Sequence, residues 1–249
     1  MRKNLRKGVE VSSKIENFLG KRVDGTKSRL PAKLDFYQSA TGLILGLFMW
    51  GHMIFVSTVL ISPEFFEATA KFFEGSAIFD TPKPALVSCM VLIIFIIFFI
   101  HAALGMRKLP ITYRQWQIAR EHSKLIKHED TMLWVIQACT GFLMFFFASM
   151  HLAMMFFNPE TIRFLGAVER IVNHNMWAFY LILLFAVELH GGIGLYRLCV
   201  KWGWFDGNDV HTARARRKTL KKLKWVISIF FIVLGLANLA VFIKAGISL

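Results

Sequence analysis

The sequence predicts an all-α integral membrane bundle of five transmembrane helices, and three observations carry that prediction. Hydrophobic residues make up 55% of the 249 residues and charged residues only 18%, a balance on the membrane side of the globular norm. Five apolar stretches reach the roughly 20 residues that a helix needs to cross a bilayer at about 1.5 Å per residue. Thirty Lys and Arg against sixteen Asp and Glu give a net charge of +14, and nearly all of the basic residues lie outside those stretches. A soluble enzyme does not fit this balance.

The spans are expected near Phe36–Ile61, Ala85–Met106, Met132–Phe157, Met176–Val200 and Trp225–Ile243. Backbone groups in lipid must be satisfied within their own segment, so each span is a helix. Residues 1–35 are basic and polar, without the apolar run of a cleavable leader. They read as a cytoplasmic amino-terminal arm, partly helical around Ser12–Leu19. No repeat or linker divides residues 36–249, which read as one five-helix domain.

Orientation follows from the cations. Residues 1–35 hold ten Lys/Arg, the Arg107–Lys127 loop six and the Arg197–Lys224 loop nine, against five in the alternate connections and tail (Lys71, Lys83, Arg163, Arg170, Lys244). That asymmetry puts the amino terminus and the two basic loops in the cytoplasm and the carboxyl terminus outside. The basic balance is a topology signal and not a nucleic-acid footprint, because the runs flank apolar spans. Three basic segments on one face could dock a soluble partner.

Cys89, Cys139 and Cys199 fall in three different spans without a C-x-x-C spacing, so iron–sulfur, structural zinc and covalent c-type haem lack ligands. Histidine is the alternative. His52, His101, His151 and His190 lie one per span in the first four spans. Ionisable groups at membrane depth are costly and face the bundle interior or a pathway. At about 1.5 Å per residue, His52 and His151 sit roughly 24 and 28 Å from the cytoplasmic ends of their spans, and His101 and His190 roughly 8 and 15 Å. Two imidazoles from facing helices at one height form the axial set of a six-coordinate b-type haem, an electron carrier with no open position for substrate. The bundle is therefore expected to enclose two stacked b-type haems, the outer on His52 and His151 and the inner on His101 and His190.

Helical phase places further residues. Lys201 falls about 20° off the His190 face and roughly 16 Å nearer the cytoplasm, which suits either a haem-propionate partner or an ordinary snorkelling lysine. Gln38 lies about 40° off the His52 face, so the first helix can pass both haems. Gly42, Gly46, Gly191 and Gly192 could admit a flat macrocycle or close helix packing. Glu188 is the one acid within a span. An unpaired carboxylate there is strongly destabilised, so Glu188 is either a neutral hydrogen-bonded acid or a group that exchanges a proton. It points about 160° away from His190 and is not a ligand. His174 is expected at the interface, and His122, His128 and His211 in solvent.

The segments Arg29-Leu30-Pro31-Ala32-Lys33-Leu34-Asp35, Gln38-Ser39-Ala40-Thr41-Gly42, Gly51-His52-Met53, Phe185-Ala186-Val187-Glu188-Leu189-His190-Gly191, Leu195-Tyr196-Arg197-Leu198 and Lys201-Trp202-Gly203-Trp204-Phe205-Asp206-Gly207 closely resemble the di-haem cytochrome b membrane subunit of bacterial menaquinol:fumarate reductases, in the succinate:quinone oxidoreductase superfamily. The resemblance runs from about Ser28 to the end of the last span.

That resemblance implies a membrane anchor for a flavoprotein with the fumarate site and an iron–sulfur protein, both cytoplasmic, in an enzyme complex of anaerobic respiration. Menaquinol would be oxidised near the outer haem, and electrons would leave by the inner haem to reduce fumarate to succinate. It matches Glu74 to an outer-loop glutamate that serves menaquinol oxidation. Glu188 matches a glutamate on a compensating proton route. Gln38, Ser39, Trp134 and Lys201 match positions around the inner haem propionates, and Arg170 one near the outer haem. Direction between fumarate and succinate, and dimerisation of the heterotrimer, stay open. Rival readings are the di-haem cytochrome b of a membrane-bound hydrogenase, or a non-redox anchor or transporter.

Overall fold

The computed structural model describes residues 29–110, 112–125, 129–207 and 209–248, with the backbone alone at 119 and 122–125. Ser12–Leu19, His128 and the His122 side chain therefore lie outside what is described. Among the described residues the chain is helical, without strands, and five helices are long and apolar enough to cross a membrane.

The first, α1, runs Leu30–Val56 with Pro31 in its first turn and continues as a 3₁₀ turn, Ser57–Leu60. A short amphipathic helix, α2, spans Pro63–Phe73; the Ser62 hydroxyl caps it by accepting from the Phe65 N–H at 3.1 Å. Next come α3, Pro84–Met106, the polar α4, Tyr113–Leu125, and α5, Glu129–Phe157. A 3₁₀ turn, the short α6, Phe164–Val168, and a π turn, Glu169–Asn173, lead into α7, Trp177–Trp202. Gly203 ends α7 at φ +66, the left-handed position that glycine adopts without a Cβ penalty. The last helix, α8, spans Val210–Ser248.

Four spans match the expected ones to within a few residues, α1 starting earliest, at Leu30. The fifth starts fifteen residues earlier than hydropathy suggests, at Val210 instead of Trp225. Asp209 explains it: its carboxylate accepts from the backbone N–H of His211 (2.8 Å) and Thr212 (2.9 Å), capping a helix that begins in polar sequence and only later becomes apolar.

Packing makes a ring. α1 lies against α3, α3 against α5, α5 against α7 and α7 against α1, while α8 packs outside on α7 and α1. So α1 faces α5 across one diagonal and α3 faces α7 across the other. Each of these four helices carries one of the four span histidines. Apolar side chains such as Ile93, Ile96, Phe142, Phe146, Ile229 and Val233 point outward, as a helix surrounded by hydrocarbon requires.

Ion pairs show which helix ends lie together. Asp35, near the start of α1, binds Arg107 (2.5 Å) and Lys108 (2.9 Å) just past α3, and Lys201 (3.4 Å) at the end of α7. Asp130, at the start of α5, accepts from the Tyr196 hydroxyl at 3.1 Å and pairs with Lys221 of α8 at 3.0 Å. This is the basic end. Burial holds the Lys108 ammonium below the usual lysine range, against the pull of Asp35. At the far end, Val59, Ala167, Val168, Ile171 and Phe242 form a core that binds the α6 turn to α1 and α8.

Candidate functional site

His52 of α1 and His151 of α5 meet across one diagonal with ring centres 6.2 Å apart. His101 of α3 and His190 of α7 meet across the other at 6.3 Å. The levels differ, as the spans predict. His52 and His151 are each twenty-two residues from the basic ends of their helices, about 33 Å of rise, whereas His101 and His190 are five and twelve residues away, about 8 and 18 Å.

The 6 Å spacing has a specific meaning. A transition metal bonds an imidazole nitrogen at about 2.0–2.1 Å, and the ring centre lies about 1.1 Å behind that nitrogen, so rings on opposite sides of one metal have centres about 6 Å apart. Among the described residues no group of three or more His, Cys, Asp or Glu converges on a point. A haem needs no such group, because its porphyrin supplies the equatorial nitrogens and asks the protein for two axial ligands.

Each basic-side imidazole is held from behind. The Thr41 hydroxyl donates to the Tyr37 carbonyl at 2.8 Å, so it accepts from His101 Nδ1–H at 3.1 Å. His190 Nδ1–H donates to the Gln137 carbonyl at 2.9 Å. In both rings Nε2 is then the free nitrogen, available to a metal, with its orientation fixed by the hydrogen bond at Nδ1. Two glycines give the rings room. A Cβ on Gly42 would stand 2.8 Å from His101 Cε1, and one on Gly141 would stand 2.7 Å from His190 Cε1. Gly141→Val is therefore expected to displace the His190 ring and weaken the affinity for a haem held there by about 10- to 100-fold, measured as a loss of up to one haem per polypeptide. Retention of the native amount would show that the ring can relocate without cost.

On the far side, His52 stacks on Phe48 at 5.8 Å and His151 meets the edge-on ring of Tyr180 at 5.9 Å. The Nδ1 atom of His151 is buried without a hydrogen-bond partner among the described residues.

The remaining predicted residues fall into three places. Ser39 and Lys201 meet at the basic end, where Lys201 Nζ donates to Ser39 Oγ at 3.2 Å and to the Asp35 carbonyl at 3.3 Å. Gln38 lies one turn from Gly42, with its Oε1 buried and unpartnered. Trp134 is half-buried seven residues before Gly141, on the same helix face and about 10 Å nearer the basic end. Arg170, near enough to His151 for their charges to interact, donates to the Thr161 carbonyl at 2.8 Å and its hydroxyl at 2.6 Å. His174 and His211 are exposed.

Glu74 is not a solvated loop carboxylate. It ends α2, is 1% exposed, and its Oε2 accepts from Arg163 Nη2 at 2.5 Å while Oε1 stays buried without a partner. Glu188, also 1% exposed, lies outside the histidine ring, between α7, α1 and α8, facing Ser228 and Trp50. That agrees with its phase opposite His190. Sequence reasoning missed Asp35, Arg107, Thr41, Gly141, Arg163, Ser228 and Trp50. Arg163 carried one usable signal, as one of few cations outside the basic segments.

Comparison with known proteins gives a consistent result. The succinate dehydrogenase/fumarate reductase transmembrane subunit family matches residues 114–236. The fumarate reductase cytochrome b subunit of Wolinella succinogenes is 51% identical over 233 residues, 94% of this chain and 90% of that protein. Its counterpart from Helicobacter pylori strain 26695 is also 51% identical, over 94% of this chain and 89% of its own.

Proposed function

This chain belongs to the fumarate reductase cytochrome b family, and from that premise we propose that it is the menaquinol-oxidising, di-haem membrane anchor of a fumarate reductase complex. The single observation that supports this most is the pair of imidazole couples, 6.2 and 6.3 Å between ring centres, set across the two diagonals of one four-helix ring. His52 and His151 would hold the far-side haem and His101 and His190 the basic-side one. When bound, these haems supply one-electron redox chemistry between a far-side quinol and partner subunits at the basic end.

The chain's own residues do the rest. Asp35 is surrounded by Arg107, Lys108 and Lys201, so this end carries more positive charge than its acid neutralises. Haem propionates would offset that surplus, with Ser39 and Lys201 at hand and Gln38 and Trp134 close by. Arg170 would do the same for the far-side haem. The basic end faces the cytoplasm of a bacterial cell and receives the iron–sulfur subunit and, beyond it, the flavoprotein that reduces fumarate.

At the opposite, periplasmic end, Glu74 is the menaquinol proton acceptor. Arg163 neutralises the carboxylate through one oxygen, and the other, buried and without a partner, is free to accept from a quinol hydroxyl. Glu74→Gln is expected to lower menaquinol-driven fumarate reduction about a hundredfold or more. Fumarate reduction driven by a dye that feeds the iron–sulfur subunit directly should be unchanged. A wild-type menaquinol rate in that variant refutes the site. Metal and flavin analysis of the intact complex tests the whole reading: flavin and iron–sulfur are expected, whereas nickel would indicate a hydrogenase.

A further inference from the structure

The far end contains an arrangement that the quinol chemistry alone does not require. Glu67 and Glu74 are seven residues apart and so lie on one face of α2. Arg163, which precedes α6 in a different connection, reaches both: Nη2 to Glu74 Oε2 at 2.5 Å and Nε to Glu67 Oε2 at 3.5 Å. The other Glu67 oxygen accepts from the Phe164 N–H at 2.6 Å, fixing that carboxylate against the start of α6. The two acids differ in access. Glu74 is 1% exposed and Glu67 is 29% exposed.

Resting on the reading of Glu74 as quinol proton acceptor, we propose that Arg163 is the positioning residue of this site, and that Glu67 takes over its guanidinium each time Glu74 is protonated. An ionised Glu74 buried alone would be prohibitively desolvated. Arg163 removes that cost while leaving Oε1 open. In each of two successive steps a quinol O–H bond breaks, an O–H bond forms at Glu74 Oε1, and one electron passes to the one-electron acceptors that bound haems would supply, so Glu74 is protonated and reset twice per quinol. Glu74 is then neutral, and the half-buried guanidinium has lost its partner. The loose 3.5 Å contact to Glu67 can tighten without rebuilding the site, because Glu67 is already held in place. On reset the Glu74 O–H bond breaks, the proton passes to far-side water beside the more exposed Glu67, and the guanidinium returns. Arg163 keeps its own proton throughout. A lysine cannot replace it, since the two acids are met by two different nitrogens of one planar fork.

The test uses the intact complex with a soluble menaquinol analogue as donor. Arg163→Gln is expected to lower kcat about tenfold or more while KM changes less than about threefold, with haem content and dye-driven fumarate reduction unchanged. Arg163→Lys keeps the charge but loses the fork and should fall between Arg163→Gln and wild type. Glu67→Gln should lower kcat several-fold at constant KM. A residue that merely fastened α2 to α6 would change haem content and dye-driven activity along with the quinol rate. Wild-type kcat in both Arg163→Lys and Glu67→Gln overturns the proposal, and these two carry the test should Arg163→Gln fail to assemble. If Glu74→Gln also turns over normally, the quinol site itself is wrong. If it does not, only the role given to Arg163 and Glu67 is lost.

Discussion

Replacing His151 with alanine is expected to leave one haem per polypeptide in place of the two proposed for the wild type. The variant should lose one set of low-spin signals and keep the other. The reason is the diagonal geometry. Among the described residues His151 is the imidazole across from His52 at its level, with ring centres 6.2 Å apart, and Tyr180, which packs edge-on against it at 5.9 Å, offers no nitrogen. The other couple sits on α3 and α7, ten or more residues nearer the basic end along each helix, and is braced by Thr41 and Gln137. It should survive. Quinol-driven fumarate reduction is expected to drop by at least about a hundredfold, beyond the 10- to 100-fold that losing a supporting contact to a ligand costs, and dye-driven fumarate reduction should persist. His101→Ala should remove the complementary set of signals, and His174→Ala neither, because His174 is exposed. Two haems with unchanged spectra in either ligand variant would show that the imidazole couples do not hold them.

The five spans and the histidine levels are legible in the sequence because both rest on one-dimensional rules: bilayer length, charge asymmetry and residues counted along a helix. The pairing across diagonals is also within reach, since four histidines at two heights leave few combinations. What supports the ligands is less visible. Gly141 and the Gln137 carbonyl act on His190 from another helix, and nothing in their local sequence separates them from packing residues. The start of α8 is hidden for a related reason. Hydropathy reports where lipid begins, while the Asp209 cap reports where the helix begins. Glu74 illustrates the remaining gap most clearly. As sequence it is a carboxylate in a connection between spans, and only the fold brings Arg163 onto it from 89 residues away.

Glu188→Gln tests the other half of the charge balance. Two electrons moving inward from far-side quinol, with the two protons released outside, would work against the membrane potential at about 2.3 kcal/mol per electron per 100 mV. At roughly 150 mV that is about 7 kcal/mol per turnover, enough to stall a reaction with a small driving force unless protons move with the electrons. Glu188 is the acid proposed for that role. It is 1% exposed, and Ser228 of α8 and Trp50 of α1 stand beside its carboxyl within hydrogen-bonding reach. A carboxyl, a hydroxyl and an indole N–H gathered between α7, α8 and α1 make a polar cluster in an otherwise apolar interface, the kind of group through which a proton can be taken up and passed on. Glutamine keeps the volume and the polarity and removes the exchangeable acid. In sealed vesicles the variant is expected to reduce fumarate with menaquinol at least about tenfold more slowly than wild type, with haem content unchanged. Adding a protonophore should restore part of the variant's rate and leave the wild type's unaltered, because only in the variant do electrons cross without compensating protons. A variant that turns over at the wild-type rate in sealed vesicles, generating no potential, would remove Glu188 from the proton route and leave its burial to be explained by packing.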